Sequence, residues 1–193
     1  MNVARIGRLL ARPCRRISRF PKPWRLHLGC GRERWDGYIN IDIAWRADSD
    51  LRADVRDLGR LFQPESVAEI VMIHALGYLH LWEAREFFAV AARLLVPGGR
   101  LVLELPDLGK CAREVAASEG DVQRYLEAVR GIFAFDIASV DARQRYPPYV
   151  FGWSAWHLVR ELTAAGFAQA ATADPQTHGP RPWRDMRVEA IRQ

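Results

Sequence analysis

The chain has 193 residues, 49% apolar and 26% charged, enough to close one hydrophobic core and too few to expect two. No apolar run reaches the about 20 residues that span a bilayer, and no charged start leads into an unbroken apolar stretch with a small-residue cleavage site, so the sequence predicts a soluble, cytoplasmic domain. The net charge of +5 is unevenly spread: residues 1–25 carry eight Arg and Lys and no acid, leaving 20 basic against 23 acidic groups, a net −3, in the remainder.

That leader comes first in chain order. At about 100° per residue, residues 3–20 place Val3, Ile6, Leu9, Leu10, Ile17 and Phe20 on one arc and six arginines on the other. Three readings stay open: a helix packed on the domain by its apolar face, a basic helix lying on an anionic membrane surface that makes the protein peripheral to the membrane, and an Arg-rich targeting presequence. Pro13 kinks or splits the helix, and Pro21 and Pro23 force an extended approach to the first strand. The leader, residues 1–23, is therefore expected as an arm on a domain spanning residues 24–193. A mildly acidic body argues against a whole-domain nucleic-acid surface.

Arg25 to Leu28 alternates and stops at Gly29, as a strand entering a tight loop does. Tyr38 to Ile43 is a second β-branched run, Leu51 to Val55 a short third and Val67 to Ile73 a fourth. From Trp82 to Val96, Phe87, Phe88, Ala91, Leu94 and Leu95 recur at helical spacing. Pro97-Gly98-Gly99 ends that helix and Arg100 to Leu105 is a fifth strand. The tail reads helix, strand, strand: Ser154 caps a helix carrying Leu158, Val159 and Leu162, Gly166 stops it before Phe167, and Met186 to Ile191 alternates as an edge or antiparallel strand does. Strands alternating with helices predict an α/β fold with a mostly parallel sheet. Only Arg32 to Gly37 separate the first loop from the second strand. A parallel crossover normally takes ten or twelve residues or more, so the first helix must be shortened to about a turn.

Cys14, Cys30 and Cys111 are odd in number and lack the paired spacings of thiolate metal sites or disulfide frameworks. A reducing compartment and no metal are expected.

The chemistry concentrates at the strand ends. Gly29 and Gly31 let backbone approach a ligand closely because no Cβ intervenes. Asp42, eleven positions after Gly31, ends the second strand and offers acceptors to the two hydroxyls of a ribose, or else caps a turn. Asp54 is placed either to accept from an adenine amino group or to cap the turn beginning at Asp57. Dinucleotide binding fits poorly: position 34 is Arg where a third glycine is needed, and the acid comes too early.

The ordered set Leu26-His27-Leu28-Gly29-Cys30-Gly31, Gly37-Tyr38-Ile39-Asn40-Ile41-Asp42, Asp54-Val55-Arg56-Asp57-Leu58, Ser66-Val67-Ala68-Glu69-Ile70 and Leu94-Leu95-Val96-Pro97-Gly98-Gly99-Arg100-Leu101 resembles the type 11 class I methyltransferases, especially small predicted methyltransferases linked to polysaccharide biosynthesis. The resemblance is close over residues 25–107 and looser in the tail. It implies a Rossmann-like sheet with an antiparallel C-terminal strand and a shortened link between strands one and two. It also implies S-adenosylmethionine as cofactor: Gly29, Cys30 and Gly31 at the methionine part, Asp42 and Ile43 at the ribose end, Asp54 and Val55 at the adenine, and His74 and Ala75 lining the site. The implied activity is methyl transfer to oxygen or nitrogen of a small-molecule or glycan-linked acceptor.

One departure falls where the reacting methyl would lie. The family typically reads His-x-Leu-Glu-His there, and this chain reads His74-Ala75-Leu76-Gly77-Tyr78. His74, Tyr78 and His80 are the candidate catalytic bases, each with a bland alternative as a packed or pocket-lining side chain. The lost acid also allows a degenerate binding scaffold recruited through the leader, and the leader allows an RNA or protein methyltransferase guided electrostatically. Tyr146-Pro147-Pro148-Tyr149 is no amino-transfer signature, since it starts with Tyr and lies far beyond the fourth strand. The aromatic segment at about 109–156 is expected as a lid or acceptor-binding insertion, or as its own small core. His27 is expected as a buried packing histidine.

Overall fold

A computed structural model describes residues 17–134, 147–177, 179 and 181–193. Most of the basic leader and the later part of the aromatic insertion, at 135–146, lie outside the described residues. The strands are β1 (Trp24–Leu28), β2 (Ile39–Asp42), β3 (Leu51–Arg52), β4 (Val67–Ile73), β5 (Leu95–Pro106), β6 (Phe167–Ala173) and β7 (Asp185–Arg192). The helices are α1 (Leu58–Leu61), α2 (Leu81–Leu94), α3 (Leu108–Ala117), α4 (Val122–Phe133) and α5 (Ala155–Ala164). One seven-stranded sheet runs in the order β3-β2-β1-β4-β5-β7-β6. All pairings from β3 to β5 are parallel, and β7 runs antiparallel between β5 and β6. The expected antiparallel C-terminal strand is present, and it is interior rather than an edge.

Strand alternation sends Leu26, Leu28, Ile70, Met72, Leu101 and Leu103 to one face, where they form the main core with Phe87 and Phe88 of α2 and Leu158 and Leu162 of α5. All ten of these side chains are at most 2% exposed. Burial of that kind is worth roughly 1.5–3 kcal/mol per large apolar side chain, so this face holds the sheet against its helical layer. The helix over 155–164 ends before Gly166 as its pattern predicts. Its Ser154 makes no side-chain cap bond, and the Ala155 N–H is instead accepted by the Asp107 carboxylate at 2.9 Å.

The opposite face is built differently. Residues 29–38, between β1 and β2, contain turns and no helix, so the shortening goes further than a single residual turn. Trp35 fills the space: its ring stacks on His27 at 4.5 Å and meets Tyr38 edge-on at 5.3 Å. Asn40 serves the loop backbone, its Oδ1 accepting from the Trp35 N–H at 2.9 Å and its Nδ2 donating to the Trp35 and Tyr38 carbonyls. Side-chain bonds thus satisfy peptide groups that a helix would have paired internally. His27 is buried, as expected, with its Nδ1 3.1 Å from Asn40 Oδ1.

A ladder of ion pairs crosses the same face. Arg25 of β1 reaches Glu69 of β4 at 2.6 Å, Glu69 also accepts from Arg100 of β5, and Arg100 reaches Glu189 of β7 at 3.3 Å. Arg187 then joins Glu189 at 2.7 Å to Glu104 at 3.1 Å. The leader's described turn, Ile17–Arg19, is held differently: Ile17 and Phe20 pack against the main core of the other face, and Arg19 pairs with Asp50 at 2.5 Å.

Burial alone would raise the Glu69 carboxyl, but hydrogen bonds from Tyr38, Arg25 and Arg100 outweigh it and hold it below its ordinary 4.5. A carboxyl depressed in the folded state stabilises fully above its unfolded value and loses that contribution as pH falls through the folded one. Glu69→Gln should therefore lower the melting temperature at pH 7, and the gap to the parent chain should narrow as pH falls below 4.5. A gap independent of pH in thermal scans would show that the charge contributes nothing.

Candidate active site

The loop after β1 is shaped by its neighbours. Gly29 has φ +66°, and a Cβ there would stand 2.5 Å from the Ala75 methyl, so the loops after β1 and β4 touch at this point. The Gly29 and Cys30 N–H groups both donate to the Ile41 carbonyl, at 2.8 and 3.2 Å. Gly31 has φ +54° and a different environment: a Cβ there would meet nothing within 4 Å. The space over Gly31 is open. Burial, followed by the nearby Asp42 charge, pushes the Cys30 thiol up to about 12, away from the thiolate form that reacts.

Asp42 stands beside that opening. Its Oδ2 accepts from the Gly31 N–H at 2.8 Å and its Oδ1 from the Ala44 N–H at 2.7 Å. The residue is half-buried, and the next side chain, Ile43, is 57% exposed. A half-buried carboxylate, an exposed aliphatic side chain and the side-chain-free Gly31, whose carbonyl accepts from the Asp48 N–H at 2.7 Å, therefore meet at the carboxyl ends of β1 and β2.

Asp54 and Val55 lie just beyond β3. Asp54 caps the 3₁₀ turn Val55–Asp57, accepting from the Arg56 N–H at 3.0 Å, and its carboxylate also holds the Arg56 guanidinium at 2.5–3.0 Å. Arg56 reaches on to Glu83 at 2.8 Å, and Glu83 accepts from the His80 N–H at 2.9 Å, closing the first turn of α2. Capping and a bridge between the loops after β3 and β4 are thus the visible work of Asp54. The Arg56 guanidinium is pushed above its ordinary value by bonds to Asp54 and then Glu83.

After β4 the chain turns sharply. His74 has φ +51°, a conformation that side chains other than glycine adopt at some cost. It is pinned from both sides: its N–H donates to the Glu104 carbonyl at 2.7 Å, and its carbonyl accepts from the Tyr149 hydroxyl at 3.1 Å. Tyr149 fills the space beside Gly77. A Cβ at Gly77 would lie 2.6 Å from the Tyr149 ring, and the Gly77 carbonyl accepts from the Val150 and Phe151 N–H groups. The 147–153 segment rests directly on the loop where the type 11 pattern carries a glutamate. Tyr78 meets Tyr149 edge-on at 4.9 Å, and burial, then Tyr78, pushes the Tyr149 phenol upward. His80 is exposed at the N-cap of α2, its ring parallel to Trp82 at 6.4 Å.

Two groups escape a reading of the sequence. Tyr149 lies 75 positions from His74, and its role depends on the fold of the insertion. Glu104, wholly buried at the end of β5, accepts from the Gln176 and Thr177 N–H groups at 3.0 and 2.9 Å and so draws the β6–β7 connection over this side. No group of three or more His, Cys, Asp or Glu able to hold a metal occurs among the described residues.

The strand order, the antiparallel β7 and the glycine loop at the carboxyl edge define a class: the fold is that of the S-adenosylmethionine-dependent class I methyltransferases. Solved structures agree. A SAM-dependent methyltransferase from Methanosarcina mazei superposes with a TM-score of 0.58 at 17% identity, covering 93% of this chain and 97% of that one. Another from Archaeoglobus fulgidus gives 0.58 at 13% identity, covering 92% and 90%. Haemonchus contortus phosphoethanolamine N-methyltransferase 2, solved with phosphomonomethylethanolamine and S-adenosylhomocysteine, gives 0.56 at 10% identity over 91% of this chain and 51% of that one. No family model and no curated protein matches the sequence.

The Gly77–Tyr149 contact makes a direct prediction. Gly77→Glu, which restores the acid, should destabilise the chain by about 1–3 kcal/mol through overpacking. In a Tyr149→Ala background the same change should cost at least about 1 kcal/mol less. Urea unfolding of the four chains measures this, and additive effects would mean that the ring does not exclude the side chain.

Proposed function

We propose that the chain is an S-adenosylmethionine-dependent methyltransferase acting on oxygen or nitrogen of a small-molecule or glycan-linked acceptor. The observation that carries this reading is the open space over Gly31, flanked by the half-buried Asp42 carboxylate and the exposed Ile43. It lies where the strand order reverses, β2 to one side of β1 and β4 to the other, which is where open α/β sheets bind ligands.

The residues fit the cofactor's parts. Gly29, Cys30 and Gly31 offer backbone to the amino-acid part, Asp42 offers acceptors to the ribose diol, and Ile43 offers an apolar face to the base. Asp54 and Val55 stand at the adenine end, where Asp54 must share its carboxylate with Arg56. His74 and Ala75 bound the side from which an acceptor approaches. A bound cofactor would supply an electrophilic methyl group on a sulfonium, which needs an acceptor lone pair aligned with the carbon–sulfur bond. The protein's part is to align the acceptor and, where that atom carries a proton, to take it. His74 and Tyr78 are the groups proposed for this, with His80 outermost. In-line transfer needs no carboxylate beside the methyl, so Gly77 is compatible with activity.

Calorimetry tests the reading. The chain should bind S-adenosylmethionine and S-adenosylhomocysteine, and Asp42→Ala should weaken both by roughly 10–150-fold, the worth of about 1.5–3 kcal/mol for hydrogen bonds to a charged group. Turnover on acceptor panels, followed as S-adenosylhomocysteine release, should drop on His74→Ala or Tyr78→Phe if that side chain takes the proton. Absence of binding by the parent chain, or an Asp42→Ala chain that binds equally well, would defeat the assignment.

A further inference from the structure

Asp50 carries a buried charge and stands outside the residues proposed to meet the ligand. It directly precedes β3, yet its side chain is only 1% exposed. Its Oδ1 accepts from the guanidinium groups of Arg19 at 2.5 Å and Arg34 at 2.8 Å. Its Oδ2 accepts from the Asn40 backbone N–H at 3.0 Å and from Asn40 Nδ2 at 2.9 Å. An ionised carboxylate offers about four acceptor positions, and here the protein itself fills all four. Asp42, with two protein bonds, retains capacity for a ligand, whereas Asp50 retains none. Burial would raise the Asp50 carboxyl, but bonds from Arg34 and Asn40 outweigh it and hold it below its ordinary 3.8.

Two of these donors belong to segments that frame the opening over Gly31. Arg34 lies in the helix-free connection, three residues after Gly31, and its other terminal nitrogen donates to the Asp48 carbonyl at 3.3 Å. The Asp48 N–H in turn donates to the Gly31 carbonyl at 2.7 Å. The loops after β1 and β2 are therefore joined twice, by backbone at Gly31 and by the Arg34 side chain that Asp50 holds. Asn40 stands on β2, two residues before Asp42. Asp50 orients its amide: with Nδ2 turned to the carboxylate, Oδ1 faces the Trp35 N–H and accepts from it at 2.9 Å. The Asp50 N–H also donates to the Asn40 carbonyl at 2.8 Å, so backbone and side chain together fix this loop against β2.

We infer that Asp50 is a positioning residue for the opening over Gly31. Through Arg34 it holds the loop after β1 against the loop after β2, and through Asn40 it fixes both to the strand that carries Asp42. The Gly31 backbone and the Asp42 carboxylate thereby keep one spacing before any ligand arrives. Without the clamp the loops open locally, and a ligand must spend binding energy drawing them together. The clamp rests on these bonds alone, and its effect on cofactor affinity rests additionally on the methyl-transfer reading of the opening.

The experiment uses the full chain, with S-adenosylhomocysteine binding followed by calorimetry and amide exchange followed by NMR without ligand, where urea unfolding shows each chain folded. The Arg34 side chain is 36% exposed, so Arg34→Gln removes the clamp's reach without opening the core and keeps the test available if Asp50→Asn fails to fold. Arg34→Gln should weaken S-adenosylhomocysteine roughly 2–30-fold, the range of effects transmitted through such networks, and Asp50→Asn should weaken it at least as much. Arg34→Lys, which keeps a charged donor, should recover part of the loss. Exchange at the Gly31, Ala44 and Asp48 amides should quicken in Arg34→Gln and Asp50→Asn relative to Ile70 and Met72 in β4. Variants that bind as the parent does, or exchange that quickens in β4 as much as in the loops, would overturn the positioning role. Loop exchange that quickens as expected in a parent chain that binds no S-adenosylhomocysteine would support the clamp and overturn the methyl-transfer reading instead.

Discussion

Two backbone N–H groups, those of Gly31 and Ala44, converge on the Asp42 carboxylate, and the carboxyl edge is organised around that contact. An ionised carboxylate accepts about four hydrogen bonds. Two are used to tie the loop after β1 to the end of β2, and the remaining capacity is on a half-buried group beside open space. The same side chain therefore builds the loop and retains acceptor capacity, which in the proposed function would meet a ribose. Gly31 is coupled to it, since its left-handed backbone turns its N–H onto Asp42 and its missing Cβ leaves the opening clear.

This economy extends to one whole face of the sheet. Where a parallel crossover ordinarily places a helix between its strands, this chain uses one tryptophan, one asparagine and a buried histidine. Trp35 covers the sheet, Asn40 satisfies the loop backbone, and His27 is stacked beneath. Farther along, the face is closed by the ladder from Arg25 to Glu104. Such a face gains little apolar burial, and ion pairs with half-exposed arginines contribute modestly. The stability of the fold therefore rests on the opposite face, where α2 and α5 cover the sheet, and the polar face serves to fix strand register.

How much of this is legible in the sequence depends on the range of each interaction. β1, β4 and α2 are readable within a residue or two because alternation and helical spacing are local. Gly29, Gly31 and Asp42 are readable because a loop at a strand end and an acid at the next strand end are separated by few residues. The extent of the helix-free connection is not, because Trp35 replaces a helix only by virtue of His27 and Asn40, which must first be paired in the sheet. Capping is one of the two roles the sequence allows Asp54, but its bond to Arg56 and thence to Glu83 requires the juxtaposition of two loops. The loss of the acid at Gly77 looks like erosion of the site in one dimension. In three, the space beside Gly77 is taken by Tyr149, far later in the chain. Asp107 taking the cap expected of Ser154 has the same origin, a bond between elements 48 positions apart.

The central claim is that the opening over Gly31 receives a nucleoside. A crystal structure of the chain grown with S-adenosylhomocysteine tests it most directly. The account predicts ligand density across Gly31, with both ribose hydroxyls on Asp42, the base over Ile43 and the sulfur facing His74 and Ala75. Density elsewhere on the molecule, or an Asp42 carboxylate that makes no contact with the bound ligand, would contradict it.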